Sequence, residues 1–306
     1  GGADFGPSLA AAVSVGLVAI EHGLVRPTHP LVTHLAYDAA DPALRRSAHQ
    51  DLAATASDAE ERALHLGRAT DGPDARAADA IEAAARDTRS RGVRAQAANL
   101  FEMAARVTPP GAIEDRARRL LAAAGAWFDS GDTDRVEAIL GPLIADLPLG
   151  HQRCEARWRL GIAFDEAGRW RDATALWDEA LAESDDPALR SQVQCSMAIP
   201  ALYTASSERA VALAEAAVGE AERSSDAGVL ARSLAVLAFL MALRGLASYA
   251  ATMERALALE KTIDEALGEW SPSVLAAECA RHSGDVTGAL RHYRTVLDRA
   301  TDAGDA

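Results

Sequence analysis

The chain of 306 residues carries 45 aspartates and glutamates against 31 lysines and arginines, which gives a formal net charge of −14. This acidic balance argues against binding of nucleic acid through a broad basic face of the chain itself. Aromatic residues make up only 5% of the chain, and alanine, leucine, arginine and glutamate, all good helix formers, dominate it. An almost all-α fold is therefore expected.

Near the beginning of the chain, residues 9–20 form a short apolar run. The run is too short to span a bilayer, and it has neither a basic segment before it nor a cleavage site after it. We therefore expect a cytoplasmic protein without a membrane partner.

Residues 1–72 are expected to form a segment of their own, because they do not fit the repeat that follows. A helix is predicted over residues 7–16, and Glu21-His22-Gly23 is predicted to join two short strands in a β-hairpin. Three more helices should begin at Pro30, after Asp41 and after Asp58, since proline favours an early helical position and aspartate caps a helix. The order helix, hairpin, helix predicts a winged-helix-like remnant followed by linker helices.

The rest of the chain, residues 73–306, shows a helix-turn-helix unit that recurs every 37 to 40 residues. The turns are expected near six residues: Gly92, Gly131, Gly168, Ala205, Gly245 and Gly284. Seven residues before each turn the side chain is small: Ala85, Ala124, Gly161, Ala198, Ala238 and Ala277. Five residues after each turn it is again small: Ala97, Val136, Ala173, Ala210, Ala250 and Ala289. Helices cross closely only where side chains are small, so the repeat predicts about six stacked hairpins in an α-solenoid.

Two local features of the repeat carry their own predictions. Pro200 falls inside the first helix of the fourth hairpin and should kink or divide it. Gly161 is expected at a close helix crossing, whereas Ser184 is expected outside one.

The third hairpin carries the most specific motif. It has Leu160-Gly161-x-x-Phe164 before its turn and Ala173-x-x-Leu176-Trp177-x-x-Ala180-Leu181 after it. These motifs resemble the tetratricopeptide repeat, which has a small residue and an aromatic in its first helix and alanines with a bulky residue in its second. The resemblance implies a superhelix whose first helices line a concave groove.

A second resemblance begins in the first 72 residues and extends through the first hairpins. The residues that carry it are His29-Pro30-Leu31-Val32, Tyr37, Pro42, Arg45-Arg46, His49, Leu52-Ala53, Arg62, His65-Leu66 and Gly72-Pro73. In this order they resemble the large LuxR-type transcriptional regulators with an ATPase module, the MalT-like signal-transduction ATPases. The resemblance implies that this stretch joins the ATPase's winged helix to a helical-repeat region, and that the ATPase module docks on residues 1–72. The chain has no G-x-x-x-x-G-K-[ST] phosphate loop and no DNA-reading helix-turn-helix, so it is expected neither to hydrolyse ATP nor to bind nucleic acid directly.

Catalytic and metal-binding motifs are absent from the sequence. The three cysteines are far apart and are interpreted as isolated buried thiols, and the eight histidines as surface or packed side chains. Asp185-Asp186 is interpreted as a helix cap before Pro187. We therefore predict no catalytic residue, no metal site and no cofactor in this chain.

The predicted groove is apolar in its middle, in hairpins two to five. Its residues are expected to be Leu121, Phe128, Trp158, Ile162, Cys195, Ile199, Leu202, Tyr203 and Phe239. These side chains either pack against neighbouring helices or receive a small effector, a peptide or a protein segment. In the second case Trp158 and Tyr203 would be the anchors.

Three functions are compatible with the sequence. The first is a non-catalytic arm that senses a ligand or partner in a cytoplasmic transcriptional regulator. The second is a free-standing adaptor or scaffold for protein–protein interaction. The third is an accessory domain of a nucleotide cyclase.

Overall fold

Sixteen helices and one two-stranded sheet make up the part of the chain that the computed structural model describes, which is residues 6–263 and 270–302. The expected all-α fold is therefore confirmed. The chain divides into two compact units, Gly1–Gly72 and Pro73–Ala306. No helix of the described residues is both long and apolar enough to cross a membrane.

The first unit contains the predicted helices and hairpin. Its elements are α1 (Gly6–Ser14), β1 (Val18–Glu21), β2 (Leu24–Pro27), α2 (Pro30–Ala39), α3 (Pro42–Thr55) and α4 (Ala59–Ala69). The strands pair antiparallel with Ile20 opposite Val25, and the turn holds His22 and Gly23 at φ 54° and 78°. A carboxylate oxygen of Asp58 accepts a hydrogen bond from the Glu61 backbone N–H at 2.9 Å, which caps α4.

The second unit consists of six consecutive helical hairpins. Their helices are α5 (Ala75–Ser90), α6 (Arg94–Val107), α7 (Ile113–Asp129), α8 (Thr133–Asp146), α9 (His151–Glu166), α10 (Trp170–Glu183), α11 (Pro187–Thr204), α12 (Ser207–Ser224), α13 (Ala227–Leu243), α14 (Tyr249–Glu260), α15 (Pro272–Ser283) and α16 (Val286–Asp302). Asp186 caps α11 as expected, since its carboxylate accepts from the Ala188 N–H at 2.9 Å.

Five of the six turns contain a glycine at the position that the repeat predicts. At Gly168, for example, φ is +73°, a left-handed conformation that side chains other than glycine adopt at a cost. The next residue then donates back into the helix, as Arg169 N–H does to the Phe164 carbonyl at 2.7 Å. The fourth turn has Ala205 with φ −132° instead, and the following helix is capped by Ser206.

The small crossing positions are buried in all but one hairpin. Ala85, for example, is 0% exposed. At Gly161 a Cβ atom would lie 2.7 Å from Cδ1 of Trp177, so the second helix approaches as closely as predicted. Ala250 is the exception, because it is exposed. Helix α14 begins at Tyr249, four residues after its glycine rather than two, and this shift buries Met253 and Ala256 in its place.

Two further expectations concern single residues. Helix α11 is not divided at Pro200, which lies in the last turn before Thr204, where a lost backbone hydrogen bond disrupts few others. Ser184 is the residue that follows the end of α10, and it is buried, with 6% of its surface exposed. Its hydroxyl accepts from the Asp186 N–H at 3.2 Å and its carbonyl accepts from Arg190 at 3.0 Å.

Candidate functional site

The central pocket of the second unit is lined mainly by first helices of neighbouring hairpins, α9, α11 and α13, together with Trp177 of α10 and with Trp270. It encloses about 670 Å³, including space open to solvent. Its walls are mainly apolar and aromatic, with charged residues among them: Trp158, Ile162, Asp165, Glu166, Trp177, Gln192, Cys195, Ser196, Ile199, Pro200, Arg232, Val236 and Trp270. Four residues of the predicted groove therefore line one pocket, namely Trp158, Ile162, Cys195 and Ile199.

Hydrogen bonds hold the two inner indoles of this pocket. The Trp158 indole N–H donates to the hydroxyl of Ser196 at 2.9 Å, which ties α9 to α11. The Trp177 indole N–H donates to the Trp158 carbonyl at 3.2 Å. Trp177 is 1% exposed, and its ring occupies the space that the absent side chain of Gly161 leaves. The small residue of the repeat motif therefore shapes the pocket as well as the crossing.

Cys195 forms part of the pocket wall and is not an activated nucleophile. The Ser233 hydroxyl lies 3.4 Å from its Sγ and 2.8 Å from the Ser191 hydroxyl, so small polar groups join α11 and α13. Burial raises the pKa of the Cys195 thiol to about 11. A thiol with this pKa is almost fully protonated at neutral pH and therefore nearly inert.

Charges of opposite sign line the pocket. Burial, and after it the charge of Glu166, raises the pKa of the half-buried Asp165 carboxyl. Burial lowers the pKa of Arg232, an effect that Cys195 and Asp226 oppose. Both shifts mean that the charged form is incompletely solvated, which is a common property of binding sites.

A second pocket of about 530 Å³, including open space, lies beside the first. It is lined by Arg89, Ala124, Gly125, Phe128, Asp129, Val136, Trp158, Arg159 and Ile162. The ion pair between Arg89 and Asp129, at 2.7 Å, joins its first two hairpins. The two pockets share Trp158 and Ile162 and therefore adjoin at these two side chains of α9.

Four residues of the predicted groove line neither of these pockets. Leu121 is a core residue with 3% exposure, and Leu202 and Phe239 are half-buried against the core. Tyr203 is 81% exposed. It is the second-last residue of α11, and α9, the first helix of the preceding hairpin, ends at the equivalent level, so α9 does not cover it. The structure therefore does not place Tyr203 as an anchor of either pocket.

Several residues of the central pocket were not predicted. Asp165, Gln192 and Arg232 lie on first helices but are polar or charged, and the sequence pattern marks only apolar positions of these helices. Trp270 precedes α15 and follows residues 264–269, which the structure does not describe. Only the indole itself, one of five in the chain, could have indicated its role.

The first unit contains a hydrogen-bonded chain that sequence reasoning also missed. The Tyr37 hydroxyl lies 3.1 Å from Nε2 of His49, whose Nδ1 lies 3.0 Å from Nδ1 of His65. Along the sequence, His49 precedes Ser57 by as many residues as His65 follows it, and Ser57 lies between α3 and α4. Positions at equal sequence distance from the loop of a helical hairpin face each other, so this spacing was the signal available in the sequence. Within residues 6–263 and 270–302 there is no group of three or more histidine, cysteine, aspartate or glutamate side chains that could hold a metal ion.

Comparisons with known proteins bear on the fold. No protein-family model matches the chain, and no curated protein matches it significantly in sequence. The structure of BtubC (BKLC) from P. vanneervenii is similar, with 15% identity, a TM-score of 0.51, and coverage of 72% of this chain and 93% of that one. A Rap protein complexed with Competence and Sporulation Factor has 11% identity and a TM-score of 0.55, over 97% of this chain and 89% of that one. The fold is that of a helical-repeat protein. At these identities the likeness shows the fold alone.

Proposed function

We propose that residues 73–306 form the effector- or partner-binding arm of a bacterial transcriptional regulator, and that this arm binds without catalysing a reaction. The observation that carries the proposal is the central pocket, where Trp158, Ile162 and Ile199 from two first helices meet in one partly open cavity. An apolar cavity with a few polar groups is the usual form of a ligand site. A Rap protein of the same fold was solved in complex with a factor.

The residues of the pocket favour binding over catalysis. Indole and aliphatic side chains provide most of the contact surface, and the neighbouring thiol of Cys195 is buried and protonated. Cys154 and Cys279 also have a raised pKa because they are buried. None of the three cysteines is therefore suited to be a nucleophile.

A ligand in this pocket would act through the geometry of the repeat. It would contact α9, α11 and α13, which belong to three successive hairpins. A ligand that prefers one spacing of these helices shifts the unit toward that spacing, because differential affinity is what moves a conformational equilibrium. In a solenoid each hairpin contacts mainly its neighbours, so a change in spacing alters the curvature of the array.

The regulator context rests on the resemblance of the first unit to the LuxR-type ATPases, which also implies a cytoplasmic protein. That unit presents exposed apolar side chains around its hairpin, of which Ile20, Leu24 and Val25 are each more than half exposed. Such a surface suits the docking of an ATPase module. The full reading frame of the gene is the direct test. If it encodes no phosphate-loop module before this chain and no DNA-binding helix-turn-helix after it, the adaptor function replaces the regulator function.

The binding function is tested with a matched pair of tryptophan variants. A defined library of metabolites and short synthetic peptides is screened by thermal shift, and each hit is titrated by calorimetry. We expect Trp158→Ala to weaken the hits by about tenfold to thirtyfold, as for an anchor worth about 2 kcal/mol. Trp170→Ala is the control, because Trp170 is 52% exposed and lines neither pocket.

Tyr203→Ala serves as a second control, since Tyr203 is 81% exposed and is not among the residues that line the two pockets. Circular dichroism must show that all three variants are folded. If hits bind Trp158→Ala and the controls equally well, the central pocket is packing space and the proposed site is wrong.

A further inference from the structure

Asp165 differs from the other buried or half-buried carboxylates of the second unit in its surroundings. Glu82 pairs with Arg119 at 2.8 Å, Glu183 with Arg153 at 2.7 Å, and Glu260 with Arg299 at 3.2 Å. No described residue gives the Asp165 carboxylate a hydrogen bond or an ion pair. A partly desolvated carboxylate without a partner is costly, and a bound cation would offset that cost.

Indole rings line the same pocket as this carboxylate. Trp158, Trp177 and Trp270 are three of the five tryptophans of the chain, and all three line the central pocket together with Asp165 and Glu166. The face of an indole attracts cations through its quadrupole, more strongly than other aromatic rings do. Trp177 is 1% exposed, so Trp158 and Trp270 are the indoles of this pocket that can offer a face to a ligand. Carboxylates combined with indoles suit an ammonium or guanidinium group, whereas carboxylates alone would also suit a hydrated metal ion.

Arg232, on α13, also lines the pocket. The next residue along α13, Ser233, contacts Cys195 of α11. The residue after Cys195, Ser196, accepts the hydrogen bond from the Trp158 indole. Asp165 lies seven residues beyond Trp158, which is about 10 Å along α9 at a rise of 1.5 Å per residue. The two carboxylates of the pocket wall, Asp165 and Glu166, therefore lie at the turn side of α9.

We propose that the central pocket receives the cationic group of an amphipathic organic ligand at Asp165, with the apolar body of the ligand lying along Trp158, Ile162 and Ile199. This inference rests on the binding function proposed above and specifies the class of ligand. The cation is either a small alkylamine or the side chain of a lysine or arginine within an apolar peptide, because both present the same chemistry to the pocket. The net charge of −14 adds a long-range attraction for either one.

The test compares probes that share an apolar body and differ in charge. The probes are 4-phenylbutylamine, 4-phenylbutanol and 4-phenylbutyrate, and their binding to the whole chain is measured by ligand-observed NMR up to about 10 mM. We expect the amine to bind about tenfold to hundredfold more tightly than the alcohol, as a charge-assisted contact with a cation–π component implies. The butyrate should bind most weakly. A second set of probes, apolar tetrapeptides with lysine, norleucine or glutamate at one position, distinguishes a peptide from a small amine.

Two isosteric variants assign the effect to one carboxylate. Asp165→Asn should reduce the affinity for the amine at least tenfold and leave the affinity for the alcohol unchanged. Asp178→Asn is the matched control, because Asp178 is exposed on α10 and does not line the pocket. Circular dichroism of both variants is the control for folding.

The outcomes separate this inference from the proposed function. Any of four results would overturn the inference that the pocket receives a cationic group. These are equal binding of the amine and the alcohol, tighter binding of the butyrate than of the amine, no binding of the amine, and an amine affinity that Asp165→Asn does not change. If Trp158→Ala still weakened library hits in these cases, the pocket would remain a binding site for another class of ligand. If Trp158→Ala also had no effect, the proposed function itself would fail.

Discussion

Replacing Gly161 by alanine should destabilise the second unit, although the same change usually stabilises a helix. Alanine is favoured over glycine in a helix interior by about 0.5–1 kcal/mol. At Gly161, however, the new Cβ would lie 2.7 Å from Cδ1 and 2.8 Å from Cε2 of Trp177. These distances are shorter than real Cβ contacts, so the buried Trp177 ring, which is 1% exposed, must be displaced.

The cost of displacing the ring has two parts. Overpacking of a dense core costs about 1–3 kcal/mol. Moving the indole also breaks the 3.2 Å hydrogen bond from its N–H to the Trp158 carbonyl, and a buried donor without a partner costs about 1–3 kcal/mol. After subtracting the helix preference, the net loss of stability is about 1–5 kcal/mol.

Urea unfolding followed by far-ultraviolet circular dichroism measures this loss as a lower midpoint. The matched control is Gly219→Ala in α12, where a Cβ would meet nothing within 4 Å, and this change should raise the midpoint. In a Trp177→Phe background, which removes the indole nitrogen, Gly161→Ala should cost measurably less. A Gly161→Ala midpoint at or above that of wild type, or strict additivity of the two changes, would refute the assigned crossing.

Other measurements check the remaining structural claims. Burial, followed by the charges of His65 and Arg68, lowers the pKa of His49 below its ordinary 6.5. The unfolded chain then binds the proton first, so stability should fall as the pH drops from about 6.5 through the lowered pKa, as linkage requires. His49→Phe should lose this part of the pH dependence of the urea midpoint, and an unchanged dependence would contradict the assignment. Burial raises the pKa of Cys195 and Cys279 to about 11, so at pH 8 iodoacetamide should alkylate them at least about a hundredfold more slowly in the folded than in the unfolded protein; similar rates would show that the thiols are accessible. Arg119→Met should cost about 3–5 kcal/mol by breaking its buried ion pair with Glu82, and a midpoint equal to that of wild type would show that Arg86 and Arg118, which also pair with Glu82, compensate its charge.

Local chemistry in the sequence was sufficient to predict most elements of the fold. Helix starts at Pro30 and after Asp58, and left-handed turns such as the one at Gly168, depend on a few adjacent residues, so their signals are visible without a tertiary structure. The burial of Ala250 was predicted wrongly, because the loop after Gly245 is two residues longer than the loops after the other turn glycines and no local signal fixes its length.

The composition of the site was decided by tertiary structure. The repeat pattern marks which residues of a helix are apolar, and three residues that it marks, Trp158, Ile162 and Ile199, line the central pocket. It could not select Asp165 or Trp270, whose roles depend on three helices and a loop converging from distant parts of the chain. Helical periodicity determines the direction in which a side chain points around its own helix. The exposure of that side chain depends instead on where the neighbouring helices end. Tyr203 therefore follows the apolar pattern of α11 and is nevertheless 81% exposed.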